Sequence, residues 1–318
     1  MEKPFKNLHL HAVGFQGAVS SRNRVAPTLD VLLSPFTLFS AMVLKLIRRI
    51  GVDTMHVSRR IFVWIGVFPI EDHYYEPLFN PIHLKADFDK PRELPAIDWN
   101  VETQLSLIKA LAPFATASLT PSTTFGGADA DYWYCLIRLL KPRRIIEVGS
   151  GDSTVVARRA LAEDATRCDH VCIEPYEQPW LEKTGAKVLR QRLEDVNKSI
   201  FRELGAGDIL FIDSSHIIRP QGDVLVEVLE ILPLLNHGVV VHFHDIFSPW
   251  HYHHKWVTKE VRLWNEQYLL EGFMSYNSQW EILGALNRLA HMHYGALKSV
   301  CPSLSEEQTP GSFYIRKR

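Results

Sequence analysis

The stretch RRIIEVGSGDST, Arg143 to Thr154, carries the strongest chemical signal in the chain. Ile145, Ile146 and Val148 read as a buried strand, Gly149, Ser150 and Gly151 as a tight turn, and Ser153 and Thr154 as the start of a helix. Glycine serves there because the backbone must turn sharply and leave bare peptide for a ligand to lie against. Two further constellations end apolar runs: Asp213 with His216 after DILFID, and His244 with Asp245 at the close of GVVVHFHD. Carboxylates and imidazoles at neighbouring strand ends can take up a proton or hold a divalent cation.

A strand, a glycine turn and a helix amino terminus form a nucleotide-sized site at the carboxyl edge of an open α/β sheet. A pyrophosphate is disfavoured: the third glycine of G-x-G-x-x-G is replaced by Thr154, and Asp152 would repel phosphate. Glu147 at the strand tip suits a ligand with a cationic amino group, which points to S-adenosylmethionine. DHVCIE, Asp169 to Glu174, reads as a second strand whose terminal acid has the spacing of a ribose-binding carboxylate.

The order E-x-G-x-G, strand-acid, strand-acid, strand-H-D, with IDSSH and HDIF, resembles the class I S-adenosylmethionine-dependent methyltransferases, over roughly residues 97 to 290. The resemblance implies a Rossmann-like seven-stranded sheet with helices on both faces. It implies that Glu147, Gly149, Ser150, Gly151, Ser153 and Thr154 surround the methionyl part of the cofactor, Glu174 the ribose, and Glu194 or Asp195 the adenine, with Asp213 beside them. It also makes Phe125, Asp129 and Tyr132 secondary contacts.

Methylating a hydroxyl needs help, because the neutral oxygen is a poor nucleophile. In the metal-dependent O-methyltransferases of the resembling family, Asp213 and Asp245 match magnesium ligands. His244 departs from that pattern and shifts preference from Mg toward Mn, Zn or Fe. The expected catalytic group is therefore His216, His244 and Asp245, with Asp213, His244 and Asp245 as the metal set. A metal-free histidine base and a self-satisfied turn are alternatives. His242, deeper in its strand, reads as a core histidine. Loop WHYHHKW offers Trp250 and His251 as an acceptor-binding lip. GVFPIEDHYYEPLFNP offers His73, Tyr74 and Tyr75, either as pocket lining or as packing.

These elements need a framework, and 318 residues with 46% hydrophobic and 22% charged content allow a large α/β domain with an appendage. Pro91 and Pro95 set the boundary, giving a mainly helical appendage over 1–95 and a cofactor domain over 96–318. Val101 to Leu111, Val224 to Leu235 and Lys255 to Leu270 read as helices, and Asp129 or Asp131 as a helix cap. Phe273 to Tyr276 and Trp280 to Leu283 read as the terminal antiparallel hairpin. A net charge of -1 gives no general attraction to nucleic acid. Cys135, Cys168, Cys172 and Cys301 read as reduced thiols, and with no signal-peptide pattern the expected location is cytoplasmic. Val31 to Leu44 reads as a buried helix too short to cross a bilayer, with peripheral membrane contact as the alternative. The expected partner is a small-molecule acceptor, and the chain is open to forming a homo-oligomer. Two rivals share the fold: an iron hydroxylase using His216, His244 and a carboxylate, and a silent ligand-binding protein.

Overall fold

The computed structural model describes residues 26–318 except 74, 78, 79, 81, 82, 86, 117, 118, 120–124 and 177. The chain divides into two compact units, Met1–Lys85 and Ala86–Arg318. The boundary falls earlier than the prolines suggest, because residues 87–95 pack within the second unit. There the Arg92 guanidinium pairs with Glu271 (Nη1 to Oε2, 2.7 Å), and the Trp250 indole donates to the carbonyl of Asp89 at 3.2 Å.

In the first unit, α1 (Ala26–Ile50) is followed by α2 (His56–Ile65), which ends at Gly66 in the left-handed conformation. The expectation of a buried helix fails. Of the residues of α1 only Ile47 is buried, and the helix runs through Pro35 for 25 residues, long and apolar enough to cross a membrane. The uninterrupted apolar run Val31 to Leu44 is shorter than the helix, which begins five residues before it and ends six residues after it.

The second unit is built on β1 (Arg144–Val148), β2 (Asp169–Ile173), β3 (Lys187–Leu189), β4 (Ile209–Ile212), β5 (Val240–Phe243), β6 (Trp280–Ala285) and β7 (Phe313–Lys317). Their order across the sheet is β3-β2-β1-β4-β5-β7-β6. All neighbours are parallel except β7, which is antiparallel to both β5 and β6. Alternation sends Ile145, Ile209 and Phe211 to one face, and Ile146, Leu210 and Ile212 to the other. The first face is covered by α3 (Val101–Leu111), α4 (Gly127–Leu140) and α5 (Asp152–Glu163), through Ile108, Trp133, Leu136, Ala157 and Ala160. On the second face, α6 (Asp223–Leu225) passes through a π-helical stretch, Val226–Ile231, into α7 (Leu232–Leu234). Two helices, α8 (His254–Thr258) and α9 (Glu266–Met274), follow β5, while α10 (Leu286–Met292) and α11 (Tyr294–Lys298) follow β6.

Two expectations change. Phe273 to Tyr276 ends α9 instead of forming a strand, and the partner of β6 is β7 at the far end of the sequence. The helix expected over 255–270 is divided into α8 and α9, and between them the Arg262 guanidinium lies over the rings of Trp256 and Trp264, 4.2 and 4.6 Å from their centroids.

Candidate active site

At the carboxyl edge of β1, Gly149 has φ +75°, and a Cβ there would sit 1.9 Å from the carbonyl oxygen of Asp213. The turn thus fits only glycine, with its own amide donating to Ile173 O at 3.1 Å and the Asp213 amide donating to Val148 O at 2.8 Å. Beyond the turn lies an open cleft of about 830 Å³, lined by Gly149, Glu174, Tyr176, Glu194 and Asp213, among others. A smaller lobe of about 140 Å³ continues over Ser150, Gly151, Ser153 and Phe125, and Glu174 and Asp213 border both spaces. This elongated shape suits a nucleoside carrying an amino-acid tail. Glu174 accepts the amides of Tyr176 (3.1 Å) and Ser150 (3.4 Å), which fixes its carboxylate at the junction. Of the two expected adenine contacts, Glu194 lines the cleft, whereas Asp195 is exposed and lines only an adjoining lobe.

Glu147 and Thr154 are corrected. Both are fully buried beneath the turn, where Glu147 accepts from Ser153 Oγ (3.1 Å) and Thr154 Oγ1 (2.6 Å) and faces His170 Nε2 at 2.9 Å. These bonds leave the carboxylate buttressing the turn from below, with no face toward the cleft. Ser153 belongs to both sets, since it also lines the small lobe.

The acids and histidines after β4 and β5 converge beside Asp213. Asp213, His216 and Asp245 have ligand atoms within 4.8 Å of one another. His216 and Asp245 both adopt φ of 59°, a strained conformation for residues with side chains. The turn carrying His216 is strapped to α9, since the amides of Asn265 and Glu266 donate to its carbonyl at 2.9 and 3.2 Å. His216 Nδ1 lies 2.8 Å from Glu266 Oε2, while Nε2 faces Asp213 at 3.2 Å and Asp245 at 3.8 Å. His244 Nδ1 lies 3.5 Å from Asp213 and 3.8 Å from Asp245, its Nε2 is 4.0 Å from Asp129, and Phe125 covers its ring at 5.1 Å.

Burial by itself would discharge both imidazoles, but the carboxylates outweigh it. His216 is held well above its ordinary range by Asp213 and Glu266, and His244 is raised to about 10 by Asp245 and Asp213. Burial likewise pushes the carboxyls of Asp245 and Glu266 up, against the pull of His244 and His216, while Asp213 is held low by the two imidazoles despite its burial. Ser214 Oγ, Glu266 Oε1 and His244 Nδ1 are buried without a well-formed hydrogen bond. Asp129, Asp213, Asp245 and Glu266 thus surround two imidazoles with a surplus of negative charge, which fits a bound cation.

The metal set expected from sequence is therefore modified: the grouped ligand atoms come from His216 with Asp213 and Asp245, and His244 flanks them. Glu266, which orients His216, was not anticipated; it opens α9 as an ordinary first-turn acid and nothing in its spacing marks it. Asp129 is no helix cap, because its carboxylate accepts the amides of Gly311 (3.2 Å) and Ser312 (2.8 Å). Tyr132 is fully buried and donates to Leu283 O, so it does not face the cleft. His242 is a core histidine, bonded to Ser312 Oγ at 2.9 Å and driven well below its ordinary pKa by burial.

The WHYHHKW loop does not line the cleft beside Gly149. Trp250 is buried and stacked on His291 at 4.0 Å, and His251 contacts the Tyr268 hydroxyl at 3.0 Å. Both border a separate cavity of about 180 Å³ with Phe88, His253 and His254. His73 and Tyr75 belong to the first unit, their rings 5.5 Å apart, and Tyr74 lies outside the described residues. All four cysteines are free thiols.

Comparison with known proteins finds a match of residues 146–246 to the family described as Methyltransferase domain, a span holding the glycine turn, Glu174, Asp213, His216, His244 and Asp245. An uncharacterized protein of Archaeoglobus fulgidus is 25% identical over 166 residues, 43% of this chain and 74% of that protein. Among solved structures, a Podospora anserina methyltransferase bound to SAH is 15% identical with a TM-score of 0.38, covering 68% of this chain and 88% of the other. An O-methyltransferase from Bacillus cereus in complex with SAH is 14% identical, TM-score 0.37, covering 68% and 91%.

Proposed function

We propose that this chain is a class I S-adenosylmethionine-dependent methyltransferase and that it methylates a hydroxyl oxygen of a small or medium-sized acceptor with help from a divalent cation; its seven-stranded sheet and its matched methyltransferase domain support the reading. The observation that carries this reading is the setting of His216, with Glu266 on one ring nitrogen and two aspartates facing the other. An imidazole bordered by carboxylates at both nitrogens is held as a cation and has no lone pair with which to take a proton. Geometry therefore disfavours the free histidine base. The same pocket, with a cation replacing the proton at Nε2, becomes a two-carboxylate, one-imidazole site whose ring is oriented from behind by Glu266.

In this reading Asp213, His216 and Asp245 hold the ion, which suits Mn, Zn or Fe better than Mg because of the nitrogen ligand. When bound, the ion would lower the pKa of an acceptor hydroxyl beside it. The residues of the chain supply the rest. Glu174 binds the ribose hydroxyls, Gly149 and Gly151 allow the tail of the cofactor to lie close to the peptide, and Glu194 contacts the base. Asp213 borders both lobes of the cleft, so an acceptor held at the cluster would face the sulfonium methyl group for in-line displacement. Phe125 and the buried edge of the cluster limit water near the reacting atoms. Trp250 and His251 are left as lining of the separate cavity, His73 and Tyr75 take no part in this reading, and the acceptor is expected to enter beside Asp245.

The test is calorimetric titration of metal-stripped and metal-loaded protein with S-adenosylmethionine and S-adenosylhomocysteine, joined to elemental analysis and an assay of S-adenosylhomocysteine release on hydroxylated acceptors. Micromolar cofactor binding with turnover only in the metal-loaded protein is the expected result. Equal turnover of the stripped protein would sink the metal reading, and no binding of either ligand would sink the assignment of the cleft.

A further inference from the structure

We infer that the first unit is a membrane-binding module, with α1 inserted in a lipid bilayer and α2 lying at its anionic headgroup surface. The observations are the exposure, length and charge placement of these helices. Leu32, Leu33, Phe36, Phe39, Met42 and Leu46 are each between 47% and 71% exposed, so α1 lacks the burial that a core helix of this composition would have. At 1.5 Å per residue its 25 residues span about 37 Å, enough for the roughly 30 Å hydrocarbon layer.

Two of the hydroxyls in the middle of α1 bond back to the helix: Ser34 Oγ donates to Val31 O at 2.8 Å and Thr37 Oγ1 to Leu33 O at 3.1 Å. No charged residue lies between Asp30 and Lys45, and Lys45, Arg48 and Arg49 gather in the final turns. Arg48 pairs with Glu76 and Arg49 with Glu71, which orders the segment after α2, while Lys45 is exposed.

The shorter helix has a different pattern that serves the same surface. Val57, Ile61, Trp64 and Ile65 share one side of α2 by their spacing and are 50% to 77% exposed, whereas Arg59 and Arg60 project elsewhere and are also exposed. An apolar stripe with a tryptophan, bordered by Arg60 and with Arg59 on the opposite side, is the composition of a helix lying in an interface. Such a helix beside an inserted one commits the unit to a bilayer with anionic lipid rather than to a small ligand or a polar protein surface.

The experiment is flotation of the full chain with vesicles of phosphatidylcholine alone and with phosphatidylglycerol added, followed by high-salt and alkaline carbonate washes. The chain is expected to float with both, more completely with phosphatidylglycerol, and to resist both washes. Phe36→Asp with Phe39→Asp should cut the bound fraction about tenfold or more. Arg59→Glu with Arg60→Glu should remove the preference for phosphatidylglycerol and leave insertion intact. All four positions are exposed, and unchanged S-adenosylhomocysteine binding by each variant would show that the second unit is folded. The inference is overturned if the wild-type chain stays in the soluble fraction, if it forms a soluble oligomer that the Phe36 and Phe39 changes dissolve, or if the purified protein starts beyond Ile50, which would make α1 a removed targeting signal.

Discussion

Gly149 bears the tightest constraint in the cleft, because any side chain there meets the backbone of Asp213 and would have to keep a positive φ. Gly149→Ala should abolish measurable binding of S-adenosylhomocysteine by calorimetry and lower stability by about 2 kcal/mol or more in urea titrations. At Glu266 the effect should be selective. Glu266→Gln removes the charge that orients His216 without touching the cofactor cleft, so affinity for Mn or Zn should fall ~10- to 100-fold while S-adenosylhomocysteine affinity is unchanged. A parallel loss of both would mean that the residue acts on the fold alone. The protonation of His244 gives a pH signature in metal-free protein. Its folded pKa of about 10 exceeds its ordinary value of 6.5, so its stabilisation is complete below pH 6.5 and disappears as pH rises through about 10. The melting temperature of metal-free protein should therefore decline from pH 7 to 10, and His244→Asn should flatten that decline.

Between the strands, the elements that position the cluster are short turns fastened from a distance. The turn after β4 is tied to α9 through His216 and to α6 through Ser215, whose amide (3.0 Å) and hydroxyl (2.6 Å) both donate to Asp223. The turn after β5 is backed by Gly311, where a Cβ would lie 3.1 Å from the Asp245 Cα. Arg92 holds residues 87–95 against α9 in the same manner, with Glu271 also accepting from Ser248. Removing one partner of this largely buried pair leaves a charge unmatched. Arg92→Ala should destabilise the second unit by about 3 kcal/mol in urea unfolding, and Arg92→Ala with Glu271→Gln by less than the single change.

Among the described residues, the buried apolar clusters, the sheet, the cleft and the acid cluster all belong to Ala86–Arg318. A fragment of residues 86–318 should fold cooperatively and bind S-adenosylhomocysteine within about threefold of the full chain, since every residue lining the cleft belongs to that unit. Failure of the fragment to unfold cooperatively would show that the first unit contributes to the core of the second.

The strand, the glycine turn and the terminal acids were legible from residue order because each depends on local rules: β-branched runs, a φ that only glycine tolerates, and acids at strand ends. Glu174 at the cleft and the convergence of Asp213, His216, His244 and Asp245 follow from such rules once the strands are parallel neighbours. Other features depend on contacts between distant segments. Glu147 is a strand-tip acid in sequence, and only the packing of α5 and β2 over it shows that Ser153, Thr154 and His170 consume its hydrogen bonds. Glu266 reaches His216 across 50 residues, and β7 enters between β5 and β6 from the end of the chain. The exposure of α1 is of the same kind: an apolar helix has one composition whether it is buried or bare, and the surrounding structure decides which.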